Sequence, residues 1–236
     1  MLKLYNTASK QKEVFKSIHP NEVTMYSCGM TVYSHPHLGH LKAYLMSDVL
    51  ARYLRDLGYR VKHVMNVTDV GHNLDDADDA DDKMEVRARQ ENLTPWDIAR
   101  KYEKMFFENL AEMNIVRPTI IARATENVPY MIDLIKKLEA NGYVYKTSVG
   151  LQFDTSKFPK YAEFAHLDLE NQQAGARVAV DDERRNPWDF ALWILNKPNH
   201  IMKWDSPWGV GYPGWHIECS AMCFHYLGEQ VDIHTG

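Results

Sequence analysis

Apolar and polar residues alternate along "EVTMYSC" (Glu22 to Cys28), which predicts a β-strand ending at the cysteine. In the following "LKAYLMSDVLARYLRDL", Leu41, Tyr44, Leu45, Val49, Tyr53 and Leu57 recur at three- and four-residue spacing. That period predicts an amphipathic helix from Leu41 to Leu57, stopped by Gly58. "RVKHVMNV" (Arg60 to Val67) reads as a second strand. Strand, helix and strand joined by short links form a βαβ unit, whose crossover makes the strands parallel. Ligands of such sheets bind at the carboxyl ends of the strands. Those ends carry "CGMT" (Cys28 to Thr31) and "TDVGH" (Thr68 to His72).

Further along, "TPWD" (Thr94 to Asp97) supplies an N-cap, a proline at the first helical position and an acid, opening a helix to about Asn114. A third helix is predicted from Pro129 to Ala140, stopped by Asn141 and Gly142. "YVYKTSVGLQFDT" (Tyr143 to Thr155) reads as an antiparallel hairpin, and the irregular stretch to about Pro187 as an insertion between two halves of a parallel sheet. "PGWHIECSAMCFHYLG" (Pro213 to Gly228) has helical spacing and a glycine stop, and "QVDIH" (Gln230 to His234) is the next strand. "DDADDADD" (Asp75 to Asp82) has six aspartates in eight residues, the composition of a solvated loop without a core; a divalent-metal loop is the weaker alternative, since no EF-hand glycine and glutamate pattern accompanies it.

At 236 residues and 45% hydrophobic content the chain can build one substantial core with an inserted lobe. The net charge of −5 gives no general electrostatic footprint for nucleic acid. No apolar run approaches the roughly 18 residues needed to span a bilayer, and "MLKLYNTASKQKEVF" lacks a signal-peptide block, so a cytoplasmic location without membrane attachment is expected. Three cysteines, Cys28, Cys219 and Cys223, suit reduced thiols or metal ligands better than a disulfide framework. Cys219 and Cys223 share a helix face and fit either two ligands of one metal or small core residues.

"HLGH" (His37 to His40) falls where a strand-end loop enters a helix. Helix N-termini present free N–H groups and a positive dipole end, and a glycine lets a nucleotide lie against the backbone. Two imidazoles three residues apart can donate to phosphate oxygens, where charge builds during adenylyl transfer. The plainer alternative is that His37 caps the helix and His40 lies on the surface.

"YSCGMTVYSHPHLGH", "NVTDVGH", "DDKMEVRAR", "RRNPWDFALW", "SPWGVGYPGWHIECSAM" and "DIHTG" resemble, in order, segments of the cysteinyl-tRNA synthetases, class I aminoacyl-tRNA synthetases. The resemblance implies an α/β fold: a Rossmann-like parallel sheet with an inserted α+β connective segment. Residues 1–93 would form the first half of the catalytic domain, 94–187 the inserted segment and 188–236 the start of the second half. It further implies that the parent enzyme joins L-cysteine to ATP, with Mg2+, as cysteinyl-adenylate and passes it to tRNA(Cys), and that the parent is a monomer. Cys28 and Cys219, 191 positions apart, would hold one zinc ion. Zinc separates a thiol from a hydroxyl of nearly equal size, a difference that pocket shape resolves poorly.

By the same resemblance, His37 and His40 are catalytic and bind ATP together with Gly29, Thr31 and Gly39. Gly29, Thr68, Trp215 and His234 surround the substrate cysteine, Asp69 partners its ammonium, His216 and Glu218 flank the metal cysteine, and Cys223 is packing. The family carries two further zinc ligands on a His-and-Glu segment after "DIHTG", a Lys-Met-Ser-Lys loop and a helical tRNA-gripping region, none of which matches a segment here; "KMEV" and "KMFF" are not that loop. The chain therefore reads as an N-terminal part, expected to retain zinc weakly and to adenylate poorly alone. Two alternatives stand beside this reading: the related cysteine ligase of mycothiol synthesis, and a non-catalytic truncated paralogue that binds nucleotide.

Overall fold

The computed structural model describes residues 1–71, 82–164, 166, 183–195, 197 and 200–236. The acidic stretch from Asp75 to residue 81, His72 of "TDVGH", and most of the irregular stretch before Pro187 lie outside the described residues. The chain opens with an antiparallel hairpin of β1 (Lys3–Asn6) and β2 (Gln11–Val14), then enters β3 (Glu22–Ser27), α1 (Leu38–Asp56) and β4 (Arg60–Val67). Helices α2 (Lys83–Glu91) and α3 (Pro95–Glu112) lead to β5 (Ile120–Arg123), and α4 (Val128–Ala140) follows. After it come β6 (Val144–Lys146), β7 (Gly150–Phe153), β8 (Phe190–Ile194), β9 (Tyr212–Pro213), α5 (Trp215–Leu227) and β10 (Ile233–Thr235).

β10, β3, β4 and β5 form one sheet in that order, and every pair in it is parallel. Its two faces are read directly from the side-chain alternation of a strand. Val23 and Met25 of β3 face Ala51 and Leu54 of α1, while Met65 of β4 packs with Phe106 and Leu110 of α3. Tyr26, Val64 and Ala122 point to the other face, against Met131 and Ile135 of α4 and Ile217 and Met222 of α5. Each such fully buried side chain contributes roughly 1.5–3 kcal/mol over an exposed one.

The expected strands and helices form, with shifts at their ends. Helix α1 begins three residues before Leu41, because His37 caps it. Thr94 caps α3 in a reciprocal box with Asp97 and proline follows, as the sequence predicts. The stretch 94–187, expected as an insertion, divides in the structure. Helix α3 is the crossover from β4 to β5, and β5 extends the parallel sheet by pairing Val64 with Ile120 through Val67 with Arg123. The antiparallel portion starts at Val144 and reaches past residue 188, since β8 and β9 complete the sheet β6-β7-β8-β9. A four-residue strand such as "IIAR", partly covered on both faces, carries no alternation to announce it.

The "RRNPWD" segment anchors this second sheet. Asp189, 2% exposed, accepts from Tyr145 Oη (2.7 Å), Thr155 N (2.8 Å), Thr155 Oγ1 (2.7 Å) and Asn186 N (3.0 Å). Asp154 takes Arg185 Nη1 at 3.2 Å and N-caps the short turn at Ser156.

Candidate active site

Three chain segments meet at the carboxyl end of the parallel sheet. Where β3 ends, Cys28 N–H donates to Thr235 O (2.9 Å), tying the first strand-end loop to β10. Gly29 N–H donates to Asn66 Oδ1 (2.7 Å), and a Cβ at this position would lie 1.7 Å from Asn66 O, so only glycine fits. Thr68 N–H donates to Met30 O and Val32 N–H to Thr68 O, both at 3.1 Å, which zips the loops after β3 and β4 together. A hydroxyl chain lies beneath: Ser47 Oγ and Thr235 Oγ1 are 3.1 Å apart, Thr235 Oγ1 donates to Ser27 Oγ (2.9 Å), and Ser27 Oγ is 2.8 Å from His63 Nε2.

Helix α5 brings the third segment, starting against the antiparallel sheet at Gly214, where a Cβ would lie 1.9 Å from Ala191 O. One turn later Glu218, fully buried, accepts from Thr68 Oγ1 at 3.1 Å, and Thr68 Oγ1 accepts from Asn66 Nδ2 at 3.2 Å. Gly29, Asn66, Thr68 and Glu218 thus form one continuous hydrogen-bonded relay that fixes α5 relative to both strand ends. The next residue is Cys219, whose Sγ lies 3.8 Å from Cys28 Sγ, and His234 Nε2 is 3.5 Å from Cys28 Sγ on the other side.

The two thiols titrate as a pair. Cys28 is held well below the ordinary thiol range, first by its hydrogen bond with Cys219 and then by His234, against the opposing effect of burial. Cys219 is raised, by the same shared hydrogen bond and by burial. Tyr26 borders the pair, its ring 5.1 Å from that of His234. A cleft of about 490 Å³ opens beside Cys28, lined also by Tyr44, Ser47, Leu50, Thr235 and Gly236.

His37 and His40 stand at the start of α1 with rings stacked at 3.6 Å between centroids. Gly39 N–H donates to His37 Nδ1 (3.1 Å) and His37 N–H donates to His40 Nδ1 (3.3 Å), a capping box made of two imidazoles. Both Nδ1 atoms act as acceptors, so in the neutral rings the proton sits on Nε2 and each ring presents an N–H outward. Partial burial and the neighbouring His37 lower the basicity of His40, which favours this neutral form.

The other residues singled out in the sequence take the following places. Both carboxylate oxygens of Asp69 accept from Thr125, from its N–H at 2.9 Å and its hydroxyl at 2.5 Å, which fixes this side chain beside the end of β4. Burial pushes the Asp69 carboxyl up to about 6. His216 packs edge-on against Phe190 at 4.9 Å, and Cys223 lies against the main core. Trp215, 51% exposed, stands one turn before Cys219 on the open side of α5. Thr31 pairs with Thr68 in a parallel bridge at the same strand ends. Sequence reasoning assigned no role to Asn66 and Tyr26; the pattern placed both on strands but could not show that they reach the thiol region.

This parallel sheet, with a paired-imidazole helix start at its carboxyl end, is the catalytic fold of a class I synthetase. Residues 14–236 match the family described as tRNA synthetases class I (C) catalytic domain, and the chain belongs to that family. It is 50% identical over 237 residues to a cysteine–tRNA ligase of Treponema denticola, covering all of this chain and 48% of the relative. It is 47% identical over 240 residues to the cysteine–tRNA ligase of Chlorobaculum tepidum, covering 100% of this chain and 49% of that protein, and 46% identical over 236 residues to that of Pyrococcus furiosus, covering 100% and 47%. The chain spans about half the length of the curated relatives it matches.

Proposed function

We propose that this chain forms the amino-acid-activating part of a cysteine–tRNA ligase, in which cysteine reacts with MgATP to give cysteinyl-adenylate for transfer to tRNA(Cys). The observation that carries this reading is the approach of Cys219 to within 3.8 Å of Cys28 at a strand end, across 191 positions of sequence. Two thiolates held at about 2.3 Å by a tetrahedral zinc ion lie about 3.8 Å apart, so the pair suits that metal. Cys28 and Cys219 would hold it, and the bound ion supplies a preference for the substrate's thiolate over a hydroxyl.

The chain's own residues then divide the work. The carboxylate of cysteine is already a nucleophile and needs no base; its oxygen attacks the α-phosphorus of ATP and pyrophosphate leaves. His37 and His40 direct their Nε2–H groups at the phosphoryl oxygens while their Nδ1 atoms remain locked to the backbone of α1, so the donors are preorganised. Gly29, Thr31 and Gly39 leave room for the nucleotide along the strand-end loop and helix start. Gly29, Thr68, Trp215 and His234 enclose the amino acid, with Thr68 oriented by Asn66 and Glu218.

Cysteine-dependent exchange of pyrophosphate into ATP by the protein that carries this chain is the test, with serine as the competing substrate. Exchange with cysteine and little with serine is expected; equal exchange with both, or none with cysteine, overturns the reading. Transfer to tRNA(Cys) rather than to an amino sugar separates it from the mycothiol-type ligase, and the names of the relatives favour tRNA.

A further inference from the structure

Away from the thiols, two carboxylates and an imidazole converge. Asp82 caps α2, its Oδ1 accepting from Met84 N (2.7 Å) and Glu85 N (3.0 Å). Its other oxygen, Oδ2, points away from the helix and lies 3.1 Å from His200 Nδ1. Glu85 Oε1 lies 3.4 Å from the same nitrogen and accepts from Ile201 N at 2.6 Å. The three atoms available for coordination are all within 4.8 Å of one another, and Asp82 and His200 are 6% and 7% exposed.

An ordinary ion pair explains this cluster poorly. Among the described residues Asp82 Oδ2 is buried without a hydrogen-bond partner although His200 Nδ1 is 3.1 Å away, so the ring nitrogen is not aimed at it as a donor. Among the described residues His200 Nε2 is buried without a partner too, so a charged ring would be supported by them on one side. With a neutral ring, two carboxylates share a largely buried site, relieved among the described residues by the α2 N-terminus and the Ile201 N–H. Nitrogen and oxygen ligands at about 2.0–2.2 Å from one ion lie about 2.9 Å apart at right angles and about 3.4 Å apart at tetrahedral angles. The observed 3.1 and 3.4 Å fall in that interval.

We propose that Asp82, Glu85 and His200 bind a divalent cation of borderline hardness, in the class of Mn2+ and Zn2+, at a site separate from the thiol pair. Mixed carboxylate and imidazole donors suit such ions. The ion joins α2, which packs beside the parallel sheet, to the connection between β8 and β9; Met202 on that connection already shares a buried cluster with Met84 and Ala88. The clamp abuts the strand end that carries Thr68 and Asp69, since a Cβ on Gly71 would lie 1.8 Å from Asp82 Oδ2.

The test is titration of the purified chain with Mn2+ alone, read by the loss of the free-ion electron paramagnetic resonance signal, with far-ultraviolet circular dichroism as the folding check. One saturable Mn2+ per chain is expected. His200→Gln and Glu85→Gln should each weaken binding by roughly tenfold or more, while Cys28→Ser leaves it unchanged. Absence of saturable binding overturns the proposal, as does loss of binding in Cys28→Ser, which would place the ion at the thiols. Should His200→Gln fail to fold, Glu85→Gln decides, and wild-type affinity in that variant overturns the proposal.

Discussion

Two buried polar clusters in this molecule, one in each sheet, are built on opposite principles. Around Asp189, in the antiparallel sheet, a single carboxylate meets donors from Tyr145, Thr155 and Asn186, and burial together with Asp189 pushes the Tyr145 hydroxyl up to about 12. At the carboxyl end of the parallel sheet, Cys28 and Cys219 lie against each other with His234 and Tyr26 beside them, and their acidities are driven apart. A satisfied cluster stabilises the fold and has nothing left to offer a ligand; an incompletely satisfied one keeps its valence for chemistry. The largest effect on folding is therefore expected at Asp189. Asp189→Ala orphans several buried donors at about 1–3 kcal/mol each, so a loss of roughly 3–5 kcal/mol in urea unfolding is predicted. A loss below about 1 kcal/mol would break the contrast.

Asp69 sits between the two types, hydrogen-bonded by Thr125 yet raised from 3.8 to about 6 by burial, with Glu218 adding to the rise. A carboxyl whose folded value exceeds its unfolded value binds its proton more tightly when folded. Its contribution thus favours folding as pH falls from about 6 toward 4 and disfavours it above. Comparing urea midpoints near the two ends of that window, Asp69→Asn should lose a pH-dependent component on the order of 2 kcal/mol relative to wild type. Identical slopes in the two proteins would show that the buried carboxyl titrates normally.

At Cys28 the prediction reverses, with little change in folding and a large change in activity. Cys28→Ser is nearly isosteric at a half-buried position, so stability should stay within about 1 kcal/mol. Zinc affinity and cysteine activation should fall by at least the 10–100-fold typical of losing even an outer partner of a metal site. Zinc analysis and pyrophosphate exchange on the same preparation check both halves.

This contrast also explains what the sequence could reveal. Helices α1, α3, α4 and α5 were legible because each buries one stripe, and period reports burial; β3 and β4 were legible as longer β-rich runs on either side of α1. β5 was not, because a short strand partly covered on both sides has no period, and the pairing of β8 with β9 was not, because it depends on contacts across a long connection. The thiol pair illustrates the limit more sharply. No local spacing relates Cys28 to Cys219; the resemblance to a family supplied the pair, and only the folded chain shows that Glu218, Thr68 and Asn66 hold it together. Asp82, Glu85 and His200 were missed for the same reason, since His200 is 115 positions from Glu85 and joins it only through the packing of α2.

The smallest effect on stability comes from comparing two capping boxes that look equivalent. Thr94 and Asp97 close the N-terminus of α3, and His37 and His40 close that of α1. Threonine is a preferred cap, and Thr94→Ala should cost about 1 kcal/mol. Histidine is not among the preferred caps, so replacing it with a better one should be harmless to the fold: His37→Ser is predicted to change stability by no more than about 0.5 kcal/mol. If the two imidazoles serve only as a cap, cysteine-dependent exchange should survive that substitution intact. If their outward Nε2–H groups stabilise the transferring phosphoryl group, exchange should fall by about tenfold or more while the unfolding midpoint stays put. The pair of measurements separates a cap that happens to be histidine from a histidine held in place by capping.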